Sequence, residues 1–351
     1  MSDYRRTFGL LILDDEEIQF DDRLFLQCAG LAAAKGIPVR FVFSAAPDDA
    51  YRISRQALGI LEGMRQFMEV RIEEAELGSS TVEIWPGSVH FSDPVETRLP
   101  IATGIALALE AYLPILLTSK QDRRILLEGG THTDDAPCFD HIQRSLIPLL
   151  DQMGVDLRAE LLRPGFAPAG GGAVQVSAQP VAAPQPLELT HAGRQIRNKA
   201  TLLWSHGPQK DAEKQKENLE QSLRWKASEI ELKRNNDSLS AGYSVILEST
   251  KENVNNIFAE HSFQKTTHGR ATKRAIEQFR RFAAQRVPVS RSLAEMMIVP
   301  MALSKGGKIR TEPLSQHSEQ LLRLLPRFLP IQYEVQHSSR ADATITIQQQ
   351  H

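Results

Sequence analysis

The sequence predicts an α/β (α+β) protein in which three βαβαββ modules form a large domain, residues 1–186 and 286–351, with a smaller αβ domain inserted at 187–285. Three observations carry this expectation. The spacing of apolar residues switches between strand-like alternation and helical periodicity in one recurring order. That order returns along the chain, which argues for similar units, each with helices covering a sheet, packed around an axis. A Pro/Ala stretch, SAQPVAAPQPLEL (Ser177 to Leu189), then separates the second unit from a segment of different, more charged character. With 351 residues the chain is also long for one core, so a large domain plus a smaller one is expected.

In the first unit Phe8 to Leu13 reads as a strand and Asp22 to Lys35 as a helix stopped by Gly36. Val39 to Phe43 follows as a strand and Asp48 to Met68 as a helix. Val70 to Leu77 and Thr81 to Trp85 then make two strands closed by Pro86 and Gly87. The second unit runs through a strand near Thr97 to Ile101, an alanine- and leucine-rich helix Thr103 to Leu117, a strand Arg124 to Glu128, a helix Phe139 to Met153, and strands Asp156 to Leu162 and Ala173 to Ala178. A third, partial copy follows Pro288: helix Val289 to Gly307, strand KIRTE, helix Glu319 to Phe328, and strands IQYEVQH and DATITIQQQ. Between the second and third copies lie strands near Leu187 to Thr190 and Ala200 to Ser205, a long charged helix Lys210 to Arg234, strands Tyr243 to Glu248 and Asn256 to His261, and a basic helix Ala271 to Gln285.

Composition excludes several classes. Charged residues make up 24% and hydrophobic ones 41%, the balance of a folded soluble protein. Two cysteines, Cys28 and Cys138, are too few for a disulfide framework and lack metal-ligand spacing, so a reducing compartment is expected. The apolar start is cut off by Asp14 to Glu17, and no run approaches the ~18 apolar residues of a membrane span. The expected location is the cytoplasm, with no membrane partner and the oligomeric state left open.

Candidate chemistry is concentrated in few places. Lys265 to Arg286 holds seven Lys/Arg and one Glu, and Lys273, Arg274, Arg280 and Arg281 fall on one helical side while Ala275 and Phe279 can face a core. Such a stripe is either an electrostatic footprint for RNA phosphates or a solvated face. PAGGGAV (Pro168 to Val174) is expected to be a hairpin turn rather than a phosphate cradle, and His132, Asp134 and Asp135 to cap a helix rather than hold a metal. His317 stands between a Pro/Ser-rich turn and a leucine-rich run, where it is either a surface residue or the group the protein presents.

The stretches EGGTHTDDAPCFDHIQRSLIPLLDQMG (Glu128 to Gly154), RPGFAPAGGGAV (Arg163 to Val174), SLAEMMIVPMALSKGG (Ser292 to Gly307) and AELGSSTVEIWPG (Ala75 to Gly87) resemble the RNA 3′-terminal phosphate cyclases over nearly the whole chain, most weakly in the first fifty residues. The resemblance implies RNA processing or repair by ligase-type nucleotidyl transfer. An RNA 3′-phosphate becomes a 2′,3′-cyclic phosphate at the expense of ATP, through a histidine–AMP intermediate, with Mg or Mn present. Aligned from Phe328 to Pro330, the nucleophilic histidine is His317. A neutral imidazole is a competent nucleophile near neutral pH. The family's metal-binding carboxylate, 22 residues earlier, falls on Glu295, which could equally be a polar residue of an amphipathic helix. Arg55 and Gln56 match an arginine–glutamine pair of the ATP pocket, Glu110 takes the place of a pocket glutamine, and Pro137 falls on the proline that packs against adenine.

Departures from the family pattern are equally specific. Its glycine-rich motif, a metal-binding glutamate, three glycines and an arginine, aligns with Gln19, Phe20, Asp21, Asp22 and Leu26. Two further pocket arginines fall at or near Ala45 and Asp48, the adenine-stacking tyrosine is Ser292, the next pocket glutamine is Met296, and a threonine–asparagine pair is Gln320 and Leu321. Each lost charge-assisted hydrogen bond to triphosphate removes roughly 1.5–3 kcal/mol. Two expectations therefore stand side by side: a cyclase acting through His317, and a non-catalytic RNA-binding relative serving as scaffold or RNA-end sensor. Nucleotidyl transfer from another donor is a third.

Overall fold

The computed structural model describes residues 9–14, 18–43, 51–66, 68–87, 95–98, 103–134, 136–182, 184–263 and 267–350. The first sheet is built from β1 (Leu11–Asp14), β2 (Val39–Val42), β3 (Val70–Glu73) and β4 (Thr81–Pro86), with α1 (Asp22–Lys35) and α2 (Arg55–Met64) between its strands. The second contains β5 (Val95–Arg98), β6 (Arg123–Gly129), β7 (Leu157–Arg163) and β8 (Gly172–Ala178). Its helices are α3 (Ile105–Thr118) and α4 (Phe139–His141), which passes through a π-helical turn (Ile142–Leu146) into α5 (Ile147–Gln152). In both sheets the first strand pairs in parallel with the second, and the fourth lies antiparallel between the second and third.

A third sheet repeats this order with β9 (Leu187–Leu189), β14 (Gly307–Thr311), β15 (Ile331–Ser339) and β16 (Asp342–Gln349), joined by α8 (Arg291–Leu303) and α9 (Gln316–Phe328). Leu187–Leu189, read from the sequence as the start of the insert, pairs in parallel with β14 and so supplies the strand that the third copy lacked. The remaining sheet, in the order β11-β10-β12-β13, comprises β10 (Gln195–Ser205), β11 (Ile230–Arg234), β12 (Gly242–Lys251) and β13 (Asn255–Ser262), accompanied by α6 (Gln209–Leu223) and α7 (His268–Gln285).

The expected long charged helix is shorter than its charge pattern suggested. It ends at Leu223, Arg224 turns left-handed at φ 57°, and Ile230–Arg234 becomes a strand parallel to β10. Open edge hydrogen bonds of β10, burial of Ile230 and a 2.7 Å ion pair between Lys199 and Glu231 outweigh the helical charge pattern. Helix α9 likewise begins earlier than its leucines imply. Ser315 caps it by accepting from the Ser318 amide at 3.2 Å, which places His317 in the first turn.

Two apolar clusters divide the interior. One joins the helices of the three similar sheets, and the other lies within the fourth sheet and its two helices. In the larger cluster α1 and α3 touch at Gly30, where an added Cβ would stand 1.9 Å from the Ala111 carbonyl oxygen. Only glycine allows that approach. Arg23, Gln27 and Gly30 are spaced i, i+4, i+7 and share one face of α1, so the contact that requires Gly30 also carries Arg23 and Gln27 to Glu110, the neighbour of Ala111.

Candidate active site

The site forms where α1, α3, α8 and α9 converge. Asp21 caps α1, accepting from the Leu24 amide at 2.7 Å, and Asp22 accepts from the Tyr51 hydroxyl at 2.5 Å and Ser54 Oγ at 2.6 Å. Ser54 caps α2, so Arg55 and Gln56 in the first turn of that helix are tied to the start of α1 through Asp22. Arg23 Nε and Nη2 donate to Glu110 at 2.6 and 2.7 Å, and Nη1 donates to Glu295 Oε2 at 2.5 Å. The other Glu295 oxygen accepts from Ser315 Oγ at 2.5 Å, the residue that caps the helix bearing His317. Burial opposes the Arg23 charge, but Glu110 and Glu295 together outweigh it and raise the guanidinium pKa.

This arrangement dictates the tautomer of His317. The Glu110 carboxylate can only accept, so it takes the Gln27 Nε2 amide at 3.0 Å and turns Gln27 Oε1 toward His317. His317 Nε2, 3.0 Å from that oxygen, must then carry the ring proton, and Nδ1 keeps its lone pair. Buried Nδ1 has no hydrogen-bond partner among the described residues, its nearest carboxylate oxygen being that of Asp21 at 4.0 Å. Burial, and next the Arg23 charge, hold the His317 pKa below the ordinary histidine value, so the ring is neutral at pH 7.

A cavity of about 390 Å³ opens beside this network, walled by Arg23, Glu295, Pro137, Ser292, Arg281 and Arg291 among others. Pro137, Glu295 and Arg281 are thus brought together from among the sequence candidates. Glu110 does not line the cavity, and both of its oxygens are consumed by Arg23 and Gln27, so it positions other groups rather than contacting a ligand there. Nor do Arg55, Gln56 or His317 stand on the cavity wall; His317 communicates with it through Gln27, Glu110 and Arg23. Lys273, Arg274, Arg280 and Arg281 are all exposed on α7, with Arg274 reaching Glu260 at 3.8 Å and Arg281 reaching Glu312 at 3.9 Å. Phe279 packs inward against Trp225 and Phe258.

A divalent ion on Glu295 does not fit this donor set. Both carboxylate oxygens already accept strong hydrogen bonds, one from a permanent cation, and no group of three or more metal-ligating side chains is found among the described residues. Gln19, aligned with the family's metal-binding glutamate, hydrogen-bonds instead with the side chain of Gln316. Ala45, Asp48, Asp135 and residues 15–17 lie outside the described residues.

Sequence reasoning missed Arg23 and Gln27, whose only signal was their spacing with Gly30. It also misassigned His132. Rather than capping a helix, His132 is buried, with Nδ1 2.7 Å from Thr131 Oγ1 and Nε2 3.2 Å from Asp140, while the N-cap position is Cys138. Burial raises the Asp140 pKa, but His132 and Arg144 outweigh it and hold the carboxyl down to about 2. Cys138 Sγ lies 3.3 Å from His141 Nδ1, yet burial pushes the thiol up and the imidazole down to about 4, so the pair is neutral and structural.

Arg144 ties this cluster to the fourth sheet through Glu248 at 2.5 Å. Because the folded His141 pKa is depressed, the unfolded chain takes up a proton first as pH falls below the ordinary histidine value. Stability is complete above that value and declines down to about 4, by roughly 1.4 kcal/mol per pH unit. Urea unfolding should show stability falling from pH 7 to pH 5, with about 2 kcal/mol of the loss due to His141, and His141→Gln should make that fall shallower by a similar amount. Parallel pH curves for parent and variant would remove His141 from the account.

A family profile described as RNA 3'-terminal phosphate cyclase matches residues 29–335. Proteins named RNA 3'-terminal phosphate cyclase are similar to the chain: that of Ectopseudomonas mendocina is 29% identical over 79% of this chain and 81% of its own. The Pseudomonas aeruginosa (strain UCBPP-PA14) protein is 31% identical over 66% of this chain and 67% of its own. That of Koribacter versatilis is 26% identical over 94% of this chain and 93% of its own.

Proposed function

Because the chain belongs to the RNA 3′-terminal phosphate cyclase family, we propose that it converts an RNA 3′-phosphate to a 2′,3′-cyclic phosphate with ATP as co-substrate and His317 as the nucleophile. One observation carries this: His317 is neutral, has one nitrogen pinned by Gln27 and keeps the lone pair of the other free of any hydrogen bond among the described residues. Nδ1 attacks the α-phosphorus of ATP, forming a P–N bond as the P–O bond to pyrophosphate breaks. A terminal RNA phosphate oxygen then attacks the same phosphorus, the P–N bond breaks, and AMP passes to the RNA end. The ribose 2′-hydroxyl finally attacks the RNA phosphorus, giving up its proton as AMP leaves and the cyclic ester closes.

Adenine is the natural occupant near Pro137 and Ser292, and the smaller serine leaves room where an aromatic ring would stack. Arg55 and Gln56, held by the Ser54–Asp22 contact, are not on the cavity wall, and their assignment to the phosphates rests on the family alignment. The test is incubation with an RNA oligonucleotide ending in 3′-phosphate, with α-labelled ATP. A phosphatase-resistant RNA end and labelled protein are expected.

A second reading has its own observation. Asp21 and Asp22 place carboxylates at the start of α1, where the family pattern has glycines, and carboxylates repel a triphosphate. Tight binding of the RNA end without label or cyclic product would favour the non-catalytic relative.

RNA reaches the site along α7, where Lys273, Arg274, Arg280 and Arg281 neutralise phosphates. Affinity should fall with salt by about 0.7 log units per log unit for each single-strand phosphate neutralised. Replacing all four with alanine should lower both the affinity and that slope, with folding preserved because the apolar face of α7 is untouched. An unchanged slope in the quadruple variant would show the stripe to be a solvated face.

A further inference from the structure

Arg23 holds two carboxylates from different helices, Glu110 of α3 and Glu295 of α8, and uses three N–H groups to do so. The same contacts extend through Gln27 to His317 on one side and through Ser315 to the cap of α9 on the other. A bound divalent ion commonly does this work, gathering carboxylates and orienting the groups that hydrogen-bond to them. A guanidinium does it with fixed charge, since it does not lose its proton at any pH the protein tolerates.

The two cations are mutually exclusive at Glu295. A magnesium or manganese ion there would have to share a carboxylate whose Oε1 already accepts from Ser315 and whose Oε2 is held at 2.5 Å by the Arg23 guanidinium, so it would compete with a fixed positive charge for the same group. An ion displacing either bond would also lie within a few ångströms of a like charge that cannot titrate away. Rotation of Arg23 out of the way would strand Glu110, which is 3% exposed in its side chain.

We propose that Arg23 is the resident cation of this site: it takes the position of a divalent ion at Glu295, keeps such an ion out, and through Glu110 and Gln27 sets the tautomer of His317. Arg23 is thus a positioning residue, and the proposal rests on the cyclase reading only for the purpose that the oriented histidine serves.

The test is titration with Mn²⁺ alone, without nucleotide or RNA, following the free ion by electron paramagnetic resonance. Parent protein and Glu295→Gln should bind Mn²⁺ identically, because any binding occurs at carboxylates elsewhere. Arg23→Gln should acquire one additional site, at least about tenfold tighter than any in the parent, and the double variant Arg23→Gln/Glu295→Gln should lose it. Imidazole ¹⁵N spectra of the parent should show protonated Nε2 and unprotonated Nδ1 at His317. Parent binding that weakens about tenfold in Glu295→Gln would overturn the proposal, as would a folded Arg23→Gln with no added site or a parent His317 protonated on Nδ1. Comparison of parent with Glu295→Gln decides the matter even if Arg23→Gln does not fold. Because neither nucleotide nor RNA is present, a protein that never labels with ATP can still pass.

Discussion

His317→Asn should leave no covalent nucleotide on the protein and lower cyclisation by at least about 10³-fold, because it removes the group on which the reaction divides into separate steps. The substitution is close in volume and retains a polar group, so the helix cap at Ser315 and the packing of α9 should survive. Gln27→Leu provides the informative comparison. It keeps the nucleophile and removes the acceptor at 3.0 Å that selects its tautomer, so label should still form, more slowly. The depressed pKa of His317 adds a sign: labelling should persist as pH drops below the ordinary histidine value, since the folded imidazole is protonated only at lower pH. Acid-labile label of equal amount in His317→Asn would move the nucleophile elsewhere.

Arg23→Met should destabilise the fold by about 3–5 kcal/mol, the cost of leaving buried carboxylates without their cation. Glu110 suffers most, because its remaining hydrogen-bond partner among the described residues is the neutral Gln27 amide. Urea midpoints measure the loss, and adding Glu110→Gln to Arg23→Met should recover much of it, since contacting residues are not additive. A loss below about 1 kcal/mol would mean that the guanidinium is as weakly coupled as a surface ion pair.

Legibility from the sequence followed the range of the interactions involved. Strand alternation and helical spacing are local, and the order of elements in the first two sheets could be written down from them. Gly36, expected to stop α1, does so with φ 65°. The element read least well was the charged run after Lys210, because helical and strand spacings look alike where apolar residues are sparse. The vacant edge of β10 decided it. The start of α9 was misplaced for a related reason: a cap is a hydrogen bond from one serine, and Ser315 has no apolar signature.

The candidate site divides in the same way. Alignment with family motifs singled out His317, Glu295 and Pro137, and charge spacing singled out the basic helix, each carried by a contiguous stretch. Which atoms those residues touch was not contained in any stretch. Arg23 meets Glu110 and Glu295 across separations of 87 and 272 residues, and Gln27 meets His317 across 290. By itself, then, the sequence determined the fold class and the membership of the family and singled out the histidine proposed as nucleophile, because periodicity and motifs are properties of neighbours along the chain. Only the tertiary structure decided that Glu295 serves an arginine, that Glu110 lies behind the cavity, and that the free nitrogen of His317 is Nδ1. The physical reason is that burial brings distant charges within hydrogen-bonding reach, where each carboxylate oxygen and amide proton must find a partner, and the partner it finds fixes the chemistry of the next group.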